Sequence, residues 1–370
     1  MTSPTAILHY VQRWLPLSEQ FVHGQIRHSR HRSVAVSRER VEHRDVFPQR
    51  PLWSLSPVLR ATPRRLQPLV VQAALSAIAR REEIGLVHAH FGYRVHDVLG
   101  VARRRSLPLV VSLHGHDVTA FTREWPAHYD AVFACAAAVV VPSRFLASRV
   151  EQLGASPTIV HVLPSGIDTE LFTPRPLPEG PPTAAFVGRF VEKKGVDVLL
   201  AAWPEVRAAV PDARLVLLGY GTLADLVARH AGADGVELVQ PDPRHRAAQV
   251  RDVIASATVV ASPSREAADG DAESLVLANL EAQASGRGVV TTRHGGIPEF
   301  VTAGETALVV DEDDAGALAQ ALITVLGDRH LAARLGAAGP ARVSSLDVRA
   351  CSARVDDLYD ALVSMPVASR

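Results

Sequence analysis

Apolar residues in the first half of the chain gather in short β-branched runs at Ala6–Tyr10, Ser33–Ser37, Gly85–Phe91, Pro108–His114, Ala137–Val141 and Thr158–Leu163. Between several of these runs apolar positions recur at steps of three and four, as over Arg65–Glu83, which is the period of a helix with one buried face. Near-continuous apolar strands alternating with helices predict a parallel sheet covered on both sides. The tract Phe172–Pro182 holds five prolines and a glycine in eleven residues, so it is neither helix nor central strand and reads as a linker. Past it the pattern restarts. Strands fit Thr183–Gly188, Ala213–Gly219, Val236–Gln240, Thr258–Ala261, Gly288–Thr292 and Ala307–Val310. Helices fit Val196–Val210, Leu223–Ala231, Arg246–Ser256, Leu275–Ser285, Ala315–Leu326 and Val348–Val363. The expected fold class is α/β, with two doubly wound Rossmann-like domains over 1–175 and 176–345. A C-terminal helix over 346–370 is then free to pack back toward the first domain. Open sheets of this kind bind ligands at the carboxyl ends of their strands, so the site is expected in a cleft where the two domains face one another.

Composition narrows the class. The chain has 370 residues, 47% apolar and 21% charged, which excludes a disordered tail protein and a coiled coil. Its two cysteines, Cys135 and Cys351, have no neighbours at metal-ligand spacing, which suits a reducing cytoplasm and excludes a disulfide framework. The longest apolar run, Ala131–Pro142, falls short of the roughly 20 residues that span a bilayer. The first residues lead straight into a strand-like stretch, with no signal-peptide pattern. A soluble cytoplasmic protein is expected. The net charge of zero conceals an asymmetry: residues 1–180 carry 21 basic and 14 acidic side chains, and the remainder 18 and 25. Ten arginines lie within 20–65, against Glu39, Glu42 and Asp45. A membrane surface, an anionic acceptor and the chain's own acidic half all fit that excess, as does a plain solvated surface. No aromatic-interleaved basic patch favours nucleic acid.

Three tracts hold candidate chemistry. Gly188-Arg189-Phe190-Val191-Glu192-Lys193-Lys194-Gly195 follows a strand and opens onto a helix, presenting backbone N–H groups and a positive dipole to an anion. Of 39 basic residues 37 are arginine, and the two lysines both stand in this turn. A compact ammonium suits phosphate as a point charge. The plain alternative is a solubilising loop charge. Glu273 and Glu281 lie eight residues apart, near one face of a helix beginning at about Ser274, where each carboxylate could accept two hydrogen bonds from vicinal hydroxyls. A dipole partner and an exposed helix charge are the simpler reading of that pair. His114-Gly115-His116-Asp117 follows a buried strand and would direct a histidine into the cleft, although a satisfied core histidine is the commoner outcome. His88 and His90 share a strand face, but no third ligand comes at a recognisable spacing, so no metal site is expected. No G-x-G-x-x-G follows the first strand, which disfavours a dinucleotide-dependent enzyme.

With these tracts in place, the chain resembles the family-4 retaining glycosyltransferases of the two-Rossmann GT-B architecture, over nearly its whole length. The resemblance runs through Leu15-Pro16-Leu17-Ser18-Glu19-Gln20-Phe21-Val22, His88-Ala89-His90-Phe91-Gly92, His114-Gly115-His116-Asp117, Val141-Pro142-Ser143 and Pro164-Ser165-Gly166-Ile167-Asp168. It continues through Gly188-Arg189-Phe190 with Lys194-Gly195 and Gly219-Tyr220-Gly221. Its most specific part is Asp269-Gly270-Asp271-Ala272-Glu273 to Glu281-Ala282, followed by Gly295-Gly296-Ile297-Pro298-Glu299, wording similar to the exopolysaccharide and colanic-acid branch.

The resemblance implies a nucleotide-diphosphate sugar donor on the second domain. Arg189 and Lys194 would hold the diphosphate beside Gly188, and the backbone amides of Ser274, Leu275 and Val276 would add to their field. Glu281 would take the ribose, Glu273 the sugar hydroxyls, and His114 would touch the sugar from the first domain. The acceptor would sit on the first domain near Ser18, Glu19 and Phe21, and would be a saccharide, a lipid-linked saccharide or a natural product. No cofactor and no metal are implied. The basic first domain fits a peripheral contact with the inner membrane face. Ser274 stands where the family has glycine, Ser165 where asparagine is frequent, Gln240 where glycine closes a strand, and Arg287-Gly288 where a small residue precedes proline. The Ser274 departure keeps a non-catalytic nucleotide-sugar-binding partner subunit as an alternative. A sugar-nucleotide epimerase ranks lower, since no acid and base pair beyond Glu273 and His114 presents itself.

Overall fold

The computed structural model describes residues 5–365, which divide into two compact units. One runs to Gly166 and resumes at Val348, and the other is Ile167–Asp347. The proline tract therefore lies wholly within the second unit.

The first unit is built on seven parallel strands: β1 (Ala6–Val11), β2 (Arg32–Ser37), β3 (Leu52–Ser54), β4 (Ile84–His90), β5 (Leu109–Ser112), β6 (Ala138–Val141) and β7 (Val160–Val162). Their order is β3-β2-β1-β4-β5-β6-β7, so the winding reverses between β1 and β4. On one face Val87, Val111 and Val139 pack against Val71 and Leu75 of helix Gln67–Arg81, Val98 of helix His96–Arg104 and Leu146 of helix Arg144–Gln152. On the other, Ile7, Leu86, Val110 and Val140 meet Val355, Tyr359 and Leu362 of helix Val348–Ser364. Burying the Val355 and Leu362 side chains is worth roughly 1.5–3 kcal/mol each. Polar contacts fix the helix further. Asp356 accepts from the Ser29 hydroxyl at 2.6 Å and the Arg30 N–H at 2.8 Å, both just past helix Gln20–His28.

The second unit holds β8 (Thr183–Val187), β9 (Arg214–Leu218), β10 (Val236–Val239), β11 (Val259–Ser262), β12 (Gly288–Thr292) and β13 (Ala307–Val310). All pair in parallel in the order β10-β9-β8-β11-β12-β13, with the reversal between β8 and β11. Its core gathers Leu199 and Trp203 of helix Val196–Ala209, Leu322 of helix Ala315–Gly327 and Leu335 of helix Arg329–Val343.

The strands expected from β-branched runs all occur, with ends shifted by a few residues. Among the elements that the hydrophobic pattern does not single out are a strand and a helix. β3 is a three-residue edge strand behind Pro51, too short to show alternation. Helix Arg329–Val343 contains Gly336, Gly339 and Pro340, which read as breakers. The glycines instead permit close packing: a Cβ at Gly336 would overlap the Gly286 carbonyl, and one at Gly339 would come 2.5 Å from the Gln283 carbonyl oxygen. A third difference bears on the site. The helix expected to begin near Ser274 begins at Leu277 and runs to Ala284, leaving Ser274–Val276 as a non-helical approach. Glu273 therefore does not share a helix face with Glu281. Arg287 also finds its use here. It is fully buried, and its guanidinium donates to the carbonyls of Arg175 at 2.7 Å, Pro176 at 2.9 Å and Ala255 at 2.9 Å, binding the proline tract to the core.

Candidate active site

In the second unit the chain leaves β8 at Gly188, makes a 3₁₀ turn over Glu192–Lys194, and enters helix Val196–Ala209 through Gly195. Gly195 sits at φ +64°, and a Cβ there would overlap the Pro263 carbonyl oxygen. Only glycine satisfies both demands. Gly188 is under no such constraint, since a Cβ would meet nothing nearer than 3.6 Å. The turn is thereby pressed against the segment following β11, the neighbouring strand across the reversal. Ligands bind at this position in open α/β sheets.

That segment brings carboxylates to the lysines. Lys193 Nζ lies 3.0 Å from Asp271 Oδ1 and 3.4 Å from Glu273 Oε1, and Lys194 Nζ lies 3.1 Å from the same Glu273 oxygen. Lys193 and Glu273 are buried at 6% and 5% exposure. Burial alone would raise the Glu273 pKa, but Lys193 and Lys194, with Arg189 behind them, overcome it and bring it down to about 2. Burial lowers Lys194, with Lys193 and Arg189 adding to the effect and Glu273 opposing it. Three cations face two carboxylates here. The arrangement leaves positive charge for an incoming anion, while Glu273 stays ionised as an acceptor.

Glu281, one turn inside helix Leu277–Ala284, is buried. Burial raises its pKa to about 7, opposed by Arg246. Arg246 opens helix Arg246–Ser256 and lies over the Tyr220 ring, 5.8 Å from its centroid. Its Nε and one terminal nitrogen are shut off from water without a hydrogen-bond partner among the described residues. Ser274 is buried, Leu275 half-buried and Val276 buried, ahead of the helix. Gln240 is exposed, its carbonyl accepting from Gln249.

In the first unit Asp117 organises the turn after β5. Its carboxylate accepts the backbone N–H groups of His114 at 3.0 Å, Gly115 at 2.9 Å and Gly92 at 3.1 Å. His114 packs its ring 4.8 Å from Phe21 and 4.5 Å from Phe91, and burial brings its pKa down to about 3. His114 and Phe21 line a pocket with Val140, Leu163, Cys351 and Val355. Ser18 is exposed and Glu19 half-buried, and neither lines it.

His88 and His90 do have a third histidine beside them. His9 of β1 pairs in register with His88 of β4, and one nitrogen from each of the three lies within 4.8 Å of the others. His9 Nδ1 is 3.1 Å from His90 Nε2. His88 already contacts the Ser112 hydroxyl at 2.7 Å and the Tyr359 hydroxyl, so the three belong to a buried hydrogen-bonded network with no carboxylate among them. Neither His9 nor Arg246 carries a local sequence signal, because each meets its partners only through strand or helix placement. His294, which holds the Glu273 backbone, stands beside the Gly295-Gly296 motif but was not singled out by it.

Residues 25–171 match the family model described as Glycosyltransferase Family 4, and residues 181–328 match that of Glycosyl transferases group 1. The chain is 35% identical over 266 residues to a GDP-mannose-dependent alpha-(1-6)-phosphatidylinositol monomannoside mannosyltransferase of Mycolicibacterium smegmatis, covering 65% of this chain and 67% of the relative. It is 33% identical over 294 residues to a GDP-mannose-dependent monoacylated alpha-(1-6)-phosphatidylinositol monomannoside mannosyltransferase of Corynebacterium glutamicum, covering 74% and 75%. The chain belongs to glycosyltransferase family 4. A third relative, the putative colanic acid biosynthesis glycosyltransferase WcaL of Escherichia coli, is 31% identical over 268 residues, covering 69% of this chain and 64% of its own length. Among solved structures, HepE of Anabaena with UDP and glucose superposes with a TM-score of 0.79 at 18% identity, covering 96% of this chain and 99% of that one. The lipopolysaccharide glycosyltransferase WaaG superposes at 0.70 and 14%, covering 95% and 99%. Both share the GT-B fold. Among the described residues no helix is long and apolar enough to cross a membrane.

Proposed function

We propose that this family-4 chain moves a sugar, with retention and without a metal, from a nucleoside-diphosphate sugar to a hydroxyl of a lipid-linked or free saccharide. The observation that carries the proposal is the cluster of Arg189, Lys193 and Lys194 around Glu273 at the carboxyl end of β8. When the bond between sugar and diphosphate breaks, negative charge grows on the departing oxygen. Arg189 and Lys194 stand ready to stabilise it, which is the work a divalent cation would otherwise do. Lys193, engaged by buried Asp271, holds the turn in place. Glu273 accepts from the sugar hydroxyls and Glu281 from the ribose. The new bond forms on the face the leaving group vacates, and the acceptor proton passes to the departing phosphate oxygen, so no protein base is used.

The mannosyltransferase and colanic-acid relatives support the acceptor class, and HepE, solved with UDP and glucose, supports the donor class. The pocket lined by Phe21 and His114 is assigned to the acceptor, and the arginine-rich first unit to contact with a cytoplasmic membrane face. The test is Lys194→Ala, assayed against a panel of nucleotide sugars. Turnover should fall about 100-fold or more with a much smaller loss of nucleotide affinity. A variant that loses only binding would point to a non-catalytic partner subunit. Loss of activity in EDTA would remove the metal-free mechanism.

A further inference from the structure

This inference rests on the reading of Glu273 as the sugar-binding carboxylate and asks what aims it. The Glu273 peptide is held on both sides by the turn after β12. Its N–H donates to His294 Nε2 at 3.0 Å, and its carbonyl accepts the Gly296 N–H at 3.0 Å. His294 is 2% exposed. A ring nitrogen that accepts from an amide carries no proton, so the ring proton sits on Nδ1. That nitrogen lies 2.7 Å from Glu312 Oε1 and donates to it. The other Glu312 oxygen accepts the Glu266 N–H at 2.8 Å. One carboxylate just past β13 therefore sets the tautomer of His294 and also anchors the loop that delivers Asp271 to Lys193.

We propose that His294 is a positioning residue for the transfer reaction and that Glu312 selects its working tautomer. His294 orients the Glu273 peptide so that the carboxylate faces Lys193 and Lys194 and the sugar. Without an acceptor at Nε2, the Glu273 N–H is buried unpaired and the peptide turns to find another partner. Misplacement of a reacting-site group by about 1 Å costs on the order of 100-fold in rate. The effect should fall on sugar handling and spare the nucleotide, because Glu273 does not touch the base or ribose in this reading.

The experiment compares His294→Leu with His294→Gln, whose side-chain oxygen can accept from the same amide. Expected is a drop in kcat/KM for the sugar nucleotide of about 100-fold in the leucine variant, recovered to within about 10-fold of the native protein in the glutamine variant. The affinity of both variants for free GDP and UDP should stay within about 3-fold of the native protein, showing that the donor unit is folded. Long-range proton–nitrogen NMR on histidine-labelled native protein should place the ring proton of His294 on Nδ1, and Glu312→Ala should shift it toward Nε2. A proton on Nε2 in the native protein would overturn the inference, as would a glutamine variant no better than leucine. Should the leucine variant fail to fold, the native NMR and the glutamine variant still decide. Glu273→Gln separates the two levels. Full turnover in that variant defeats the reading of Glu273 itself, whereas an inactive Glu273→Gln beside a fully active His294→Leu defeats only the positioning role.

Discussion

Acidification should unfold the first unit before the second, and the cause is the histidine seam between β1 and β4. His9 and His88 are fully buried and His90 is 2% exposed. Burial, with a contribution from His31, brings the His9 pKa down from 6.5 to about 3, and burial also holds His88 and His90 well below that ordinary value. At pH 7 these rings are neutral in folded and unfolded chains alike. Below pH 6.5 the unfolded chain takes up protons that the folded one refuses, so stability falls as pH falls from about 6.5 toward 3. For His9 alone the linkage amounts to about 2 kcal/mol at pH 5, and His88 and His90 act in the same direction. That is a large share of the roughly 5–15 kcal/mol of a typical domain. In the second unit Glu281 works oppositely. Its pKa is raised to about 7, so its penalty is felt as pH rises from about 4.5 to 7 and is relieved by acid. The assay is urea unfolding at pH 7 and pH 5, followed by hydrogen exchange resolved to each unit. The first unit should lose its midpoint on acidification, and His9→Asn should recover about 2 kcal/mol of the difference. An unchanged midpoint for the first unit, or earlier loss of the second, would refute the reasoning.

Three further outcomes concern the second unit. Gly195→Ala places a Cβ on the Pro263 carbonyl at φ +64° and should destabilise that unit by about 2–4 kcal/mol, measurable as a shift in thermal midpoint. Glu281 should bind the ribose diol best when ionised. Affinity for a nucleoside diphosphate, relative to Glu281→Gln at each pH, should therefore rise about 10-fold between pH 6 and 8. Arg246→Ala removes the charge that opposes the Glu281 shift and should move the midpoint of that rise to higher pH; calorimetric titration at stepped pH reads both.

Much of this molecule is legible along the chain because its determinants are local. Parallel strands buried on both faces are near-continuous apolar runs, as at Ala138–Val141 and, up to its last residue, Val259–Ser262, and the proline tract interrupts them where no element forms. The lysine pair is visible because an almost lysine-free chain places both its lysines in one glycine-flanked turn, whereas Glu273 stands out only by its spacing from Glu281 and by the family resemblance. What the chain conceals are groups whose meaning comes from a distant neighbour. His9 becomes the third histidine of a cluster only because β1 lies beside β4, and His294 reaches Glu273 only because β12 lies beside β11. Helix Leu277–Ala284 begins only after an extended N-cap residue, Val276, and the Glu273 peptide ahead of it is bonded to His294 and Gly296 instead, partners that no propensity at Ser274 would reveal. Composition and periodicity thus determine that two parallel α/β sheets form and where the turns at the carboxyl ends of their strands lie, since burial and backbone sterics act within a few residues. The ionisation of Glu273 and Glu281, the tautomer of His294 and the neutrality of the buried histidines were decided only by the tertiary structure. Charge and hydrogen-bond energies depend on distance and desolvation, and these exist only once the strands are assembled.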